Sequence, residues 1–171
     1  MKSIMKCLMV SMLFVLFAGC SKDDEPGTEP EPEKVTYSVT YSVNKISDDF
    51  FTLGHFIVSY IDKDSKDRTV DLKKSSQIPF SVTVEGLDVD SKLYFELIYG
   101  YYSEVELTKE QYTFARDASF TIKGSDGSVY SASIITGSLT VGKDKVKAYL
   151  DKVTLEDNPL ESTVKDVMRK K

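Results

Sequence analysis

Val35-Thr36-Tyr37-Ser38-Val39-Thr40-Tyr41-Ser42-Val43 alternates large apolar side chains with small hydroxyl ones over its whole length. Successive side chains of a β-strand point to opposite faces. The run therefore lays Val35, Tyr37, Val39, Tyr41 and Val43 on one face and Thr36, Ser38, Thr40 and Ser42 on the other. Such a strand has one face in a core and one in water, the usual state of an antiparallel sheet.

The same period recurs downstream. Phe80, Val82 and Val84 alternate with Ser81, Thr83 and Glu85, and Leu93, Phe95, Leu97 and Tyr99 alternate with Tyr94, Glu96 and Ile98. Phe50 to Ile61 is apolar on both alternating faces and reads as a central strand, with Gly54 marking a bulge. A polar turn from Asp62 to Asp67 leads into a short strand, Arg68 to Leu72. Phe114 to Ile122 and Val129 to Leu139 flank Ser125-Asp126-Gly127-Ser128. Asp-Gly between two β-like runs marks a hairpin, because glycine accepts the positive φ that such turns need. The pattern predicts a mainly β fold of short strands, an antiparallel sandwich or barrel.

Helices are expected only near the C-terminus. Val146, Tyr149, Leu150 and Val153 recur at helical spacing, although Val146, Ala148 and Leu150 also suit a strand. Asn158 as cap, Pro159 in the first helical position and Glu161 at capping-box spacing predict a second helix. Its apolar stripe is Leu160, Val164, Val167 and Met168, and Arg169, Lys170 and Lys171 suit its negative end. A frayed tail is the alternative.

The start of the chain carries different information. Lys2 and Lys6 precede an apolar stretch from Leu8 to Phe17, broken only by Ser11, and Ala18 and Gly19 follow as small residues. This is the three-part layout of a secretory signal and is short for a membrane span. Leu16-Phe17-Ala18-Gly19-Cys20 resembles a lipobox, with Phe17 where that family usually has leucine. The resemblance implies that Cys20 becomes the new N-terminus and carries diacylglycerol and further acyl chains. Each buried methylene contributes ~0.8 kcal/mol, so two or three chains hold a protein on a bilayer essentially permanently. Ser21-Lys22-Asp23-Asp24-Glu25 is similar to the acidic export signal of Bacteroidetes-type surface lipoproteins, which implies outer-membrane anchoring with the protein facing the exterior. A solvated charged linker is the other reading of those five residues.

From Ser21 to Glu33 the chain contains Pro26, Pro30 and Pro32 and almost nothing apolar, so it cannot bury enough surface to fold. Extended at ~3 Å per residue, this tether reaches roughly 35–40 Å. The expected organisation is a signal peptide over 1–19, a lipidated acidic tether over 20–33, a β-sandwich over 34–156 and a C-terminal helix or tail over 157–171. Loss of Cys7 with the signal and use of Cys20 for lipid leave no thiol for a disulfide, so the domain depends on its own core. Removal of Lys2 and Lys6 takes the 22 basic residues to 20 against 27 acidic, a net charge of −7. That balance argues against nucleic acid, whose binding depends on neutralising phosphates.

Val82-Thr83-Val84-Glu85-Gly86-Leu87-Asp88-Val89-Asp90-Ser91-Lys92-Leu93 is similar to the E–F corner of fibronectin type III domains. In that family a tyrosine hydroxyl pins the corner; here its position holds Leu93, with Tyr94 one residue later. The resemblance implies an immunoglobulin-like sandwich and leaves function open.

Chemistry-bearing residues are sparse. His55 is the only histidine, lies inside a predicted strand and accompanies no nucleophile-elbow motif. One histidine and no free thiol leave zinc only carboxylates. Asp62, Asp64 and Asp67 crowd one turn and are the calcium candidates. The EF-hand pattern fails there, with Lys66 at its fifth position, Asp67 in place of glycine and Lys73 at the twelfth, and a solvated polar turn is the competing reading. Tyr101 and Tyr102 follow the inward-facing Tyr99 and are the candidate ligand-binding residues, since tyrosine offers both a flat apolar face and a hydroxyl. The expectation is a lipid-anchored, non-catalytic module without cofactor that recognises a glycan or an outer-membrane protein partner. An enzyme or enzyme inhibitor acting through a loop of the sandwich is the alternative.

Overall fold

The computed structural model describes residues 33–155 and 159–170. From Lys34 onward the chain forms one compact unit. Its elements run β1 (Tyr37–Ile46), α1 (Asp48–Leu53), β2 (Gly54–Ile61), β3 (Asp67–Leu72), β4 (Phe80–Leu87), β5 (Lys92–Tyr101), β6 (Gln111–Gly124), β7 (Val129–Gly142), α2 (Val146–Leu155), β8 (Leu160–Thr163) and α3 (Val164–Met168).

The strands form two four-stranded sheets in the orders β4-β1-β6-β7 and β3-β2-β5-β8. Every pairing is antiparallel. The alternation of β1 has the predicted consequence: Val39, Tyr41 and Val43 are buried. They face Phe56 and Val58 of β2 and Leu93, Phe95, Leu97 and Tyr99 of β5 in one core. Tyr41 stacks on Phe95 at 5.2 Å between ring centroids, joining the two sheets. The β6–β7 hairpin turns at the predicted Asp126-Gly127, where Gly127 takes φ 82°.

Two expectations are corrected. Phe50 to Leu53 is the end of α1 and not part of the central strand, and Gly54 is its C-cap, not a bulge. Phe50 and Phe51 are apolar on adjacent positions, which reads as a two-faced strand, yet one helical turn lets Phe50 enter the core. There its ring lies 4.8 Å from Phe114, 5.0 Å from Tyr99 and 5.1 Å from Phe56. That packing outweighs the local strand pattern. The C-terminal helix also starts later than predicted. Leu160 to Thr163 pair with β5 as β8, and the helix begins at Val164 with Thr163 as its cap, accepting from the Asp166 N–H. Asn158 lies outside the described residues. Hydrogen bonds to an open sheet edge decide this segment, and no local pattern reports that edge.

The helix predicted around Val146 to Val153 is present as α2, with Val146, Leu150 and Val153 buried. Among the described residues no helix is long and apolar enough to cross a membrane.

Candidate functional site

The end of β5 is where several elements converge. Gly54 pairs with Tyr101 and His55 with Gly100 at this end of the sheet. The Tyr102 N–H donates to the Leu53 carbonyl at 2.9 Å, which holds the chain against α1 as it leaves β5. A Cβ at Gly100 would lie 2.9 Å from His55 Nε2, so a side chain there would displace the imidazole. The imidazole therefore lies across the strand where a side chain would otherwise stand.

Beyond β5 a cleft of about 560 Å³ opens between the 102–110 segment and α2. Buried Leu53, Val146 and Leu150 contribute its floor. Tyr101, Tyr102, Val105 and Leu107 form its other walls, with Lys147 on the α2 side. Tyr101 and Tyr102 are 38% and 46% exposed, so both candidate tyrosines present ring surface to solvent beside an apolar floor. They differ in how they are held. The Tyr101 hydroxyl donates to Asp151 Oδ1 at 2.8 Å, and this bond raises the phenol above its usual range. Tyr102 lies parallel to His55, within 3°, at 6.0 Å between centroids.

His55 has an acidic partner. Its Nδ1 and Asp71 Oδ1 share a hydrogen bond at 2.8 Å, and Asp71 Oδ2 is 3.2 Å from Lys73 Nζ. The bond to His55 holds the Asp71 carboxyl below the ordinary carboxylate range. His55 is half-buried and lines neither this cleft nor the one described next.

A second, smaller cleft of about 400 Å³ lies over the strands of the β3-β2-β5-β8 sheet. Tyr60, Tyr94, Glu96, Lys92 and Glu161 border it. The Tyr94 hydroxyl donates to Glu96 Oε2 at 2.7 Å, so part of this polar surface is already paired within the chain.

The calcium candidates build a turn in the structure. Asp62 Oδ1 accepts from the backbone N–H groups of Asp64 and Lys66, and Oδ2 accepts from Arg68 Nε. The Lys66 N–H is the main cause of the lowered Asp62 pKa. Both oxygens of Asp62 thus serve donors of its own loop, and Ser65 takes the left-handed φ of 58° that closes it. Among the described residues no three His, Cys, Asp or Glu side chains come together as a metal cluster.

Cys20, Ser21, Lys22, Asp23, Asp24 and Glu25 lie outside the described residues. What sequence reading missed is that Leu53, Val105, Leu107, Val146 and Leu150 meet in one cleft, and the two acidic partners, Asp151 of Tyr101 and Asp71 of His55. Asp71 sits between Val70 and Leu72 on the face of Thr69 and reads as an ordinary polar strand residue, and Asp151 reads as an ordinary polar helix residue. Their roles arise from neighbours far along the chain. No protein-family model matches the chain, and a search of curated proteins finds no match.

Proposed function

We propose that the chain is a lipid-anchored, surface-displayed, non-catalytic binding module that uses the cleft under Tyr101 and Tyr102. The observation that carries this reading is the pairing of two exposed tyrosines with an apolar floor formed by Leu53, Val146 and Leu150. Exposed aromatic rings beside a cleft with an apolar floor suit the capture of a protein side chain or the face of a sugar ring. The lipobox-like Leu16–Cys20 and the acidic Ser21–Glu25 support anchoring through Cys20 and export to the outer face.

The sandwich itself reads as immunoglobulin-like. β1 and β4 pair in one sheet and β2 and β5 in the other. This is the relation of strands B and E and of strands C and F in that fold. The connection from β4 to β5, residues 88–91, lies within the Val82–Leu93 stretch that resembles the fibronectin corner, with Leu93 buried where the family has tyrosine.

The test compares the full chain with a Tyr102→Ala, Val105→Asp double variant on a glycan array and in pull-downs from outer-membrane extracts. Binding by the parent and its loss in the variant are expected. Empty results on both platforms, or binding unaffected by the variant, would overturn the cleft's role. Surface display is tested by protease shaving of intact cells, in which the domain is expected to be cut.

The alternative is an enzyme or inhibitor acting through a loop; its enzyme version is favoured by the His55–Asp71 hydrogen bond, which joins β2 to β3. An imidazole oriented by a carboxylate is the general-base half of many hydrolytic sites. A hydrolase substrate panel checks it: turnover abolished by His55→Ala would replace the binding reading with an enzymatic one.

A further inference from the structure

Among the described residues the two sheets have four edges: β4 and β7 in one, β3 and β8 in the other. β3 carries Asp67, Arg68 and Asp71, β4 carries Glu85 and β8 carries Glu161. β7 is the longest of the four at 14 residues, and Val-Tyr-Ser-Ala-Ser-Ile-Ile-Thr-Gly-Ser-Leu-Thr-Val-Gly contains no charge and no proline. In a chain whose residues are 29% charged, that composition is selective. Open edges in single-copy proteins are guarded by charges, proline or bulges, because a bare row of N–H and C=O groups is a template for another strand.

The one irregularity in β7 is at Ile134. It has no partner between Ser133, opposite Ser119, and Ile135, opposite Ala118. From Ile135 to Gly142 the ladder with β6 is regular, and Thr136 to Thr140 are all exposed. Leu139 stands opposite buried Phe114, so it projects on the core side of the sheet, yet it is 49% exposed. Two positions away on the same face, Gly137 has open space: a Cβ there would meet nothing within 4 Å.

We propose that β7 is a homodimerisation strand, pairing antiparallel with β7 of a second copy about a twofold axis through Ser138. This register sets Leu139 of each copy opposite Gly137 of the other, so each exposed leucine fills the other's open position. Thr136 meets Thr140, Ile135 meets Val141 and Ser138 meets its own counterpart, apolar on apolar and hydroxyl on hydroxyl. Cross-strand pairs of these kinds stabilise a sheet. An axis of this kind uses the same patch on both copies and closes on itself. The two four-stranded sheets become one of eight strands, and no like charges meet across the seam despite the chain's net charge of −5. The chain's own Pro26, Pro30 and Pro32 segment is a poorer occupant. Its prolines lack the N–H that a ladder needs, and its acids would find no basic partner on β7.

Residues directly opposite in an antiparallel pair have Cα atoms about 4.5–5.5 Å apart, within the span of a disulfide. The test is therefore mild oxidation of the full chain in detergent carrying Ser138→Cys. Ser131→Cys, on the same strand but outside the paired stretch, is compared with it, and the parent gives the background from Cys7 and Cys20. Ser138→Cys is expected to form covalent dimer roughly tenfold faster or more than Ser131→Cys, because pairing holds its thiols together. Adding Leu139→Lys should return that rate to the Ser131→Cys level while the circular dichroism spectrum stays β-rich. Equal rates for Ser138→Cys and Ser131→Cys would overturn the proposal.

Discussion

Tyr101 and Asp151, 50 positions apart in sequence, are joined by a 2.8 Å hydrogen bond from phenol to carboxylate. The bond ties the end of β5 to α2 and so sets one side of the cleft. A phenol that donates to a carboxylate loses its proton less readily, since the anion left behind would face another anion.

The consequence is measurable by spectrophotometric titration. The Tyr101 phenol should ionise above the ordinary tyrosine value of about 10, in line with its raised pKa. Asp151→Asn should bring that step back towards the ordinary value, and Tyr101→Phe should remove it. A titration curve unchanged by Asp151→Asn would contradict the assignment.

Gly54 has a contact role. Its φ of −175° is extended backbone that any residue adopts, so conformational freedom is not at issue. A Cβ there would collide with the Gly100 carbonyl oxygen and lie 2.6 Å from the Tyr99 hydroxyl. Tyr99 is buried and donates to the Phe50 carbonyl, leaving it little room to move. Gly54→Ala should destabilise the domain by about 3 kcal/mol, the upper range for overpacking, measured by urea unfolding.

Acid should destabilise the Asp62 turn. Its folded-state pKa is lowered by the Lys66 N–H and further donors. A depressed carboxyl contributes stability that is present above the unfolded value of about 3.9 and lost as pH falls through the folded value. Asp62→Asn should flatten the acid limb of the stability–pH curve below that point and leave its alkaline limb unchanged. An acid limb of the same steepness would show that the turn adds nothing.

The Tyr41 hydroxyl is buried beside the Tyr94 backbone but outside hydrogen-bonding geometry. An unsatisfied buried hydroxyl is costly, so Tyr41→Phe should stabilise the domain by about 1 kcal/mol. Thermal and urea unfolding of the two proteins side by side would decide it, and a loss of stability would mean the hydroxyl is paired in solution.

Period-two alternation carried most of the fold. In β1, β4 and β5 each strand has a buried face and a wet face, so Tyr41 and Phe95 could be assigned inward before their ring contact was known. Asp126-Gly127 located the longest hairpin for a local steric reason. Phe50 was misread because both faces of a short apolar run look alike whether it is a strand or one turn of buried helix. Leu160 to Thr163 form a strand only because β5 offers an open edge. For the cleft, Tyr101 and Tyr102 were legible as exposed aromatics. The Leu53, Val146 and Leu150 floor was not, since it joins residues from opposite ends of the domain.

Attachment through Cys20 underlies the whole functional reading, because a tethered module and a free secreted domain meet different ligands. Intact-mass spectrometry of the mature protein, extracted from the membranes of its native cells, tests that attachment. A chain beginning at Cys20 and carrying a diacylglyceryl group with or without an added acyl chain is the predicted result. A chain beginning elsewhere, or an unmodified Cys20 at its start, would contradict it.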